Sequence, residues 1–201
     1  MKISLRHILP WALLAAACCV PARRPDAGRP LPEPAPVRVR LLFGGDVMQH
    51  LPQVMAARRE TGFDYREVFG HLARRFRAAD LVVVNLETTL TRTERYTGYP
   101  CFRSPVALAD ALRDAGVDVA VLANNHCCDG GAAGVHTTVA ELLRCGIRHT
   151  GVFTDSLDRA ANNPLWLERY GVRFALLNYT YGTNGIPVPH GVQINLIDTV
   201  R

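Results

Sequence analysis

Lysine is almost missing from this 201-residue chain: Lys2 stands alone against 22 arginines. The formal net charge is only +5. A charge excess this small does not build a surface that neutralises a phosphate backbone, so no nucleic-acid partner is expected. A long apolar run is missing too. The most continuous one, residues 8–17, is far short of the ~20 residues a membrane-spanning helix needs. No pair of CxxC elements is present, which removes a zinc ribbon, and the six cysteines are not spaced as a disulfide framework. Cys101, Cys127, Cys128 and Cys145 are expected as buried thiols, with one long-range bridge left open. What remains, 48% apolar and 20% charged residues, is enough for one globular domain with a real core.

The chain opens with a basic start, Lys2 and Arg6, then the short apolar run, then Ala15-Ala-Ala-Cys18. That is the pattern of a secretory signal over residues 1–17. Small residues directly before Cys18 also resemble a lipoprotein cleavage site, so Cys18 is expected as the lipidated first residue of the exported form. Plain secretion after Ala17 is the alternative. Six of the thirteen prolines fall within residues 21–36, where no apolar periodicity exists to build a core. Residues 18–36 therefore read as an extended tether. The expectation is an exported protein of the cell envelope, held at the membrane by its N-terminal lipid.

From residue 37 the pattern becomes that of a folded domain, over residues 37–201. Alternation at Val37, Val39, Leu41 and Phe43 predicts a first strand that stops at Gly44-Gly45-Asp46. Residues 64–78 carry helical spacing. Residues 81–87 form an apolar strand ending in Asn85-Leu-Glu87. Ser104-Pro105 reads as a helix start, with Ser as N-cap and Pro in the first turn, and Gly116 as the stop. Residues 117–122 are a third apolar strand, 133–145 a helix and 147–151 a short strand. Residues 165–169 and 172–179 read as two strands, and 192–197 as a last one. Strand and helix alternate, which predicts an α/β fold with a largely parallel sheet covered by helices.

In such sheets ligands collect beyond the carboxyl ends of the strands. The first three strands end in Asp46, in Asn85 and Glu87, and in Asn124-Asn125-His126. Carboxylates, amide oxygens and imidazole are all metal ligands, and an oxygen-rich set with some nitrogen suits Mn, Mg, Fe or Zn. Two such ions can clamp a phosphate and activate water. His71 and His136 fall on helices and read as surface or packing residues. His149 and His190 fall in or near loops that could border the site. Trp166 and Tyr170 read as packing.

Gly45-Asp-Val-Met48, Asn85-Leu-Glu87 and Ala123-Asn-Asn-His126 with Asp129 resemble the bacterial capsule-synthesis CapA, or poly-gamma-glutamate capsule protein, family. Tyr99-Pro-Cys-Phe102 and Leu177-Asn-Tyr-Thr-Tyr-Gly-Thr-Asn-Gly185 resemble its lipoprotein branch. The family is distantly similar to calcineurin-like metallophosphoesterases, which implies a layered metallophosphoesterase-like sheet with helices on both faces. The resemblance implies that Asp46 is a ligand of a first divalent metal, Glu87 the bridging carboxylate, and Asn125 a ligand of a second metal. It places His126 as a catalytic acid near the leaving group. Asn85, Asn124 and Asp129 would orient these groups by hydrogen bonds. Metallophosphoesterases usually carry a His two residues after the first Asp, where this chain has Met48. His50 lies two residues further on, at a spacing that does not substitute directly, and is placed among the supporting residues. The family extends past the end of this chain with further His-bearing motifs, so the chain is expected to be truncated. The implied function is capsule or poly-gamma-glutamate biosynthesis or export on a metal-dependent hydrolase scaffold, acting on an acidic polymer or a phosphoester. The alternative is a non-catalytic surface lipoprotein that binds polymer or assembles with membrane synthase subunits.

Overall fold

The structure is a computed structural model and describes residues 35–197. The expected signal sequence, Cys18 and most of the tether lie outside the described residues. The chain begins with β1 (Leu41–Val47), α1 (Leu51–Ala57), α2 (Arg66–Phe76), β2 (Leu81–Leu86), β3 (Thr89–Thr91) and β4 (Arg103–Pro105). It continues with α3 (Ala107–Ala115), β5 (Val119–Val121), α4 (Gly131–Arg144), β6 (Arg148–Thr150), β7 (Val152–Phe153) and α5 (Ser156–Asn162). It closes with β8 (Leu165–Arg169), β9 (Val172–Leu176) and β10 (Gln193–Ile194).

The centre is a four-stranded parallel sheet in the order β1-β2-β5-β6. β2 is apolar from Leu81 to Val84, because both of its faces are covered there, and turns polar only at Asn85 near its carboxyl end. Val82, Val84 and Leu86 face a core shared with Phe76 of α2, Leu108 and Leu112 of α3, and Val135, Val139 and Leu142 of α4. Leu81 and Val83 face the other way, with Val119, onto Leu165 and Leu167 of the β8–β9 hairpin. The parallel sheet flanked by helices is as the sequence predicts. Its second face is covered by the antiparallel hairpin, with α5 packed beside it against β6, β7 and β8. Leu108, Leu112 and Leu142 are fully buried, and each contributes roughly 1.5–3 kcal/mol from area removed from water.

Several boundaries differ from the sequence-based expectation. β1 begins at Leu41 because its neighbour β2 begins at Leu81; the residues before Leu41 have no strand to join. It then runs past Gly44-Gly45 to Val47, with a register shift between Phe43 and Asp46. Gly44 fits closely there: a Cβ would come within 3.1 Å of Val84 Cγ1, which would have to give way. Ser104 and Pro105 do not start a helix. They pair with Leu90 and Thr91 in the β3–β4 ladder, and the buried Ser104 hydroxyl is taken by Thr88 Oγ1 at 3.0 Å, so α3 starts at Ala107 without a side-chain cap. Gly116 ends α3 in the left-handed conformation, as expected. The last predicted strand shrinks to β10, which pairs antiparallel with β7 rather than extending the main sheet. Helix α5 lacks an apolar stripe that would reveal it, but Asp155 caps it, accepting from Leu157 N and Asp158 N.

Candidate metal and acid–base site at the strand ends

The parallel register sets Asp46 beside Asn85, and Asn85 beside Val121. Asn85 Nδ2 donates to Asp46 Oδ1 at 2.8 Å and to Glu87 Oε2 at 3.0 Å. One amide NH2 thus holds both carboxylates. Glu87 is half-buried, and burial followed by the nearby Asp46 charge pushes its carboxyl above the usual carboxylate range.

The orientation of Asn85 is dictated from behind. Asn124 Nδ2 donates to Leu86 O at 2.9 Å, and Asn124 Oδ1 accepts from His126 N at 3.0 Å. A backbone acceptor and a backbone donor therefore leave Asn124 one possible amide orientation. Its second N–H then donates to Asn85 Oδ1 at 3.0 Å, which turns the Asn85 NH2 toward the acids.

His126 is buried, with Nδ1 2.9 Å from Asp129 Oδ2. That oxygen also accepts from Phe102 N at 2.6 Å, while Asp129 Oδ1 is buried without a partner. Facing a carboxylate oxygen, Nδ1 donates, and this bond fixes the orientation of the ring. The Phe102 ring meets His126 edge-on at 4.7 Å and meets His50 edge-on at 5.1 Å on its other side. His50 is thus separated from His126 by Phe102, and it stands at the start of α1, where its backbone N–H donates to Gln53 Oε1.

Asn125 is half-buried and donates through Nδ2 to Asn184 Oδ1 at 3.2 Å. Asn178 grips the same loop: its Oδ1 accepts from Ala123 N at 2.5 Å and its Nδ2 donates to Ala123 O at 3.2 Å. Asn178, Asn184 and Phe102 escape a residue-by-residue search for ligands. Asn184-Gly185 reads as a turn, and turn chemistry hides an amide that reaches 59 residues back along the chain.

Among the other histidines, His149 is buried in β6 and pairs through Nε2 with Asp158 at 3.2 Å, rather than with the strand-end groups. Cys101, Cys127, Cys128 and Cys145 are all free thiols, as expected, and the last three are buried. Trp166 is half exposed, with the Arg173 guanidinium 4.7 Å over its ring.

The sequence profile of the bacterial capsule synthesis protein PGA_cap family matches residues 40–195. The chain belongs to this family. Two relatives named "Probable polyglutamine synthesis accessory protein", from Mycobacterium tuberculosis strains CDC 1551 / Oshkosh and ATCC 25618 / H37Rv, are each 37% identical over 82 residues. The match covers 40% of this chain and 22% of each relative's own length.

The donors present in this PGA_cap domain fit a hard divalent cation. Asp46 and Glu87 face one another across a single NH2, which carries no charge to offset theirs. Among the described residues, no group of three or more His, Cys, Asp or Glu side chains is placed to hold a metal. Any ion at this edge would draw on two carboxylates and amide oxygens, a set suited to Mn or Mg more than to thiolate-preferring metals.

Proposed function

We propose that this chain serves the making or export of a capsule-type acidic polymer such as poly-gamma-glutamate, as a cation-dependent hydrolase at the cell envelope. The observation that carries this is the pair of carboxylates, Asp46 and Glu87, held on one amide at the carboxyl edge of a parallel sheet. A cation entering between them replaces a neutral NH2 with a full charge and relieves their repulsion. Asp46, Glu87 and Asn125 are the residues that would hold it, with Mn, Mg, Fe or Zn as the ion. When bound, the ion would supply Lewis acidity toward a phosphoryl or carbonyl oxygen of a phosphoester or of the acidic polymer. His126, oriented through Nδ1 by Asp129, then has Nε2 as the atom through which a proton reaches the leaving oxygen. Asn85 and Asn124 hold the acids in place, and His50 supports the site from behind Phe102. The relatives' printed role in polyglutamine synthesis supports an accessory part beside membrane synthase subunits. Lipidation at Cys18, after removal of residues 1–17, would keep the domain at the membrane.

Saturable Mn2+ uptake, measured by calorimetry, that is lost in both Asp46→Ala and Glu87→Ala is the expected result. Hydrolysis of a generic phosphodiester or of poly-glutamate should disappear in the same variants. Wild-type protein that takes up no divalent ion sinks the reading.

One observation favours a second reading, a non-catalytic lipoprotein that binds polymer or docks to the synthase. Met48 stands two residues after Asp46, where the metallophosphoesterase pattern has a His. Under that reading poly-glutamate binds with no turnover, and binding survives metal chelation. Membrane fractionation of wild type against Cys18→Ser tests the anchor: the variant should move to the soluble fraction.

A further inference from the structure

An amide side chain has two chemically opposite ends, and a neighbour that claims one end decides where the other points. Asn125 donates its NH2 to Asn184 Oδ1 at 3.2 Å, and its own Oδ1 takes no side-chain hydrogen bond among the described residues. Asn184 is in turn oriented by His126. Its Nδ2 lies 3.4 Å from both ring nitrogens, a contact with the ring rather than a bond along one lone pair. At equal distance from the two nitrogens, the NH2 lies against the face of the ring. A ring face is electron-rich, so an NH2 sits favourably against it and a carbonyl oxygen does not. The orientation therefore passes from the His126 ring to Asn184, and from Asn184 to Asn125.

The loop that carries Asn184 is built to hold it. Ile186 N donates to Thr183 O at 2.9 Å, and Thr183 Oγ1 donates to Ile186 O at 2.6 Å, closing the turn on both sides. Asn184 itself has φ of 51°, the left-handed region that Asn tolerates better than most side chains.

We propose that Asn184 is a positioning residue of the strand-end site: it fixes the amide of Asn125 so that the carbonyl oxygen, not the NH2, is left for a divalent cation. This rests on the cation reading of the Asp46–Glu87 pair. It joins a loop from the C-terminal part of the described chain to a site whose other members come from the first three strands of the main sheet.

The test is a double-mutant cycle with Mn2+ as the probe. Asn184→Gly suits the left-handed backbone, so its effect is not one of strain. It should weaken Mn2+ binding about tenfold or more, the usual size for loss of a ligand-orienting hydrogen bond, with the melting temperature held within a few degrees. In an Asn125→Asp background the side chain offers oxygen at both ends, so orientation no longer matters. Adding Asn184→Gly there should change Mn2+ affinity by less than about twofold, a non-additivity that a merely structural role does not produce. Equal losses in both backgrounds, or wild-type affinity in Asn184→Gly, overturn the assignment alone. Absence of saturable Mn2+ uptake by the wild type overturns the cation reading and this assignment together.

Discussion

Asn124 and Asn85 are joined by one amide-to-amide hydrogen bond of 3.0 Å, and through it the backbone at Leu86 and His126 decides that Asn85 presents a donor to Asp46 and Glu87. The acidic pair is thus organised by two neutral side chains whose own orientation leaves no freedom.

Replacing the NH2 of Asn124 by oxygen tests that chain. Asn124→Asp places an acceptor against Leu86 O and Asn85 Oδ1, in a buried position. The expected loss is about 2–3 kcal/mol in urea unfolding, the cost of buried polar groups left facing like partners. Asn124→Asp as stable as wild type would show that the amide orientation is not imposed by the backbone.

Glu87 makes a pH prediction with a defined sign. Its folded carboxyl titrates above the ordinary value of 4.5, because of burial and then Asp46. The native state therefore binds more protons than the unfolded chain just above that value. By linkage, stability attributable to Glu87 falls as pH rises through that window and levels off above it. The stability of wild type minus that of Glu87→Gln, followed by urea unfolding from pH 4 to pH 8 (about 4 to about 8), should decline and then plateau. A difference curve that rises with pH contradicts the environment described for Glu87.

Glu141 runs the other way. Burial raises its carboxyl, but Arg144 and Arg92 outweigh burial and hold it below its usual value. Its side chain is 4% exposed, with Arg92 and Arg144 nitrogens on its two oxygens. The stability it adds is present above its unfolded value and is lost as pH falls through the folded one. Glu141→Ala should cost about 2 kcal/mol near neutral pH, as for hydrogen bonds to a charged group. Arg92→Ala should cost under about 1 kcal/mol, since that arginine is largely in solvent and screened. Thermal melts of the two variants order them, and equal effects would refute the distinction.

Gly151 supports the site from beneath. It has φ of 97°, and a Cβ there would collide with Asn178 Oδ1 and with Ala123. Gly151→Ala should cost roughly 1–3 kcal/mol from backbone strain and also break the two hydrogen bonds by which Asn178 holds Ala123. Faster exchange of the Ala123 amide proton is the specific readout. A variant that melts lower with that proton still protected would separate Gly151 from the loop.

The alternation of apolar strand and amphipathic helix was enough to read the parallel sheet, because β2, β5, α3 and α4 carry their burial pattern in local sequence. The three strand ends were legible for the same reason. What could not be read was the partner of each polar group. Ser104 has the chemistry of an N-cap, yet a buried hydroxyl on Thr88 competes for it. Asn184 has the chemistry of a turn, yet it reaches Asn125 and His126. These choices are made by tertiary neighbours, which spacing along the chain does not encode. β10 was overextended for a related reason: an apolar run gives length, but its pairing with β7 sets where the ladder ends.

The two glycines of β1 have an arithmetic consequence. In an uninterrupted strand, side chains an odd number of residues apart lie on opposite faces. Leu42 and Val47 are five apart, yet both pack against the helix-side core. The extra residue between Phe43 and Asp46 reverses the parity of everything after it. Asp46 is thereby moved off the helix face and onto the side shared with Asn85. The acid owes its place to an odd count. In a chain of this family one glycine shorter, a straight strand would deliver the same carboxylate. In a chain of equal length whose residues here resist the bulge, the acid would turn inward among the helices and a valine would take its station.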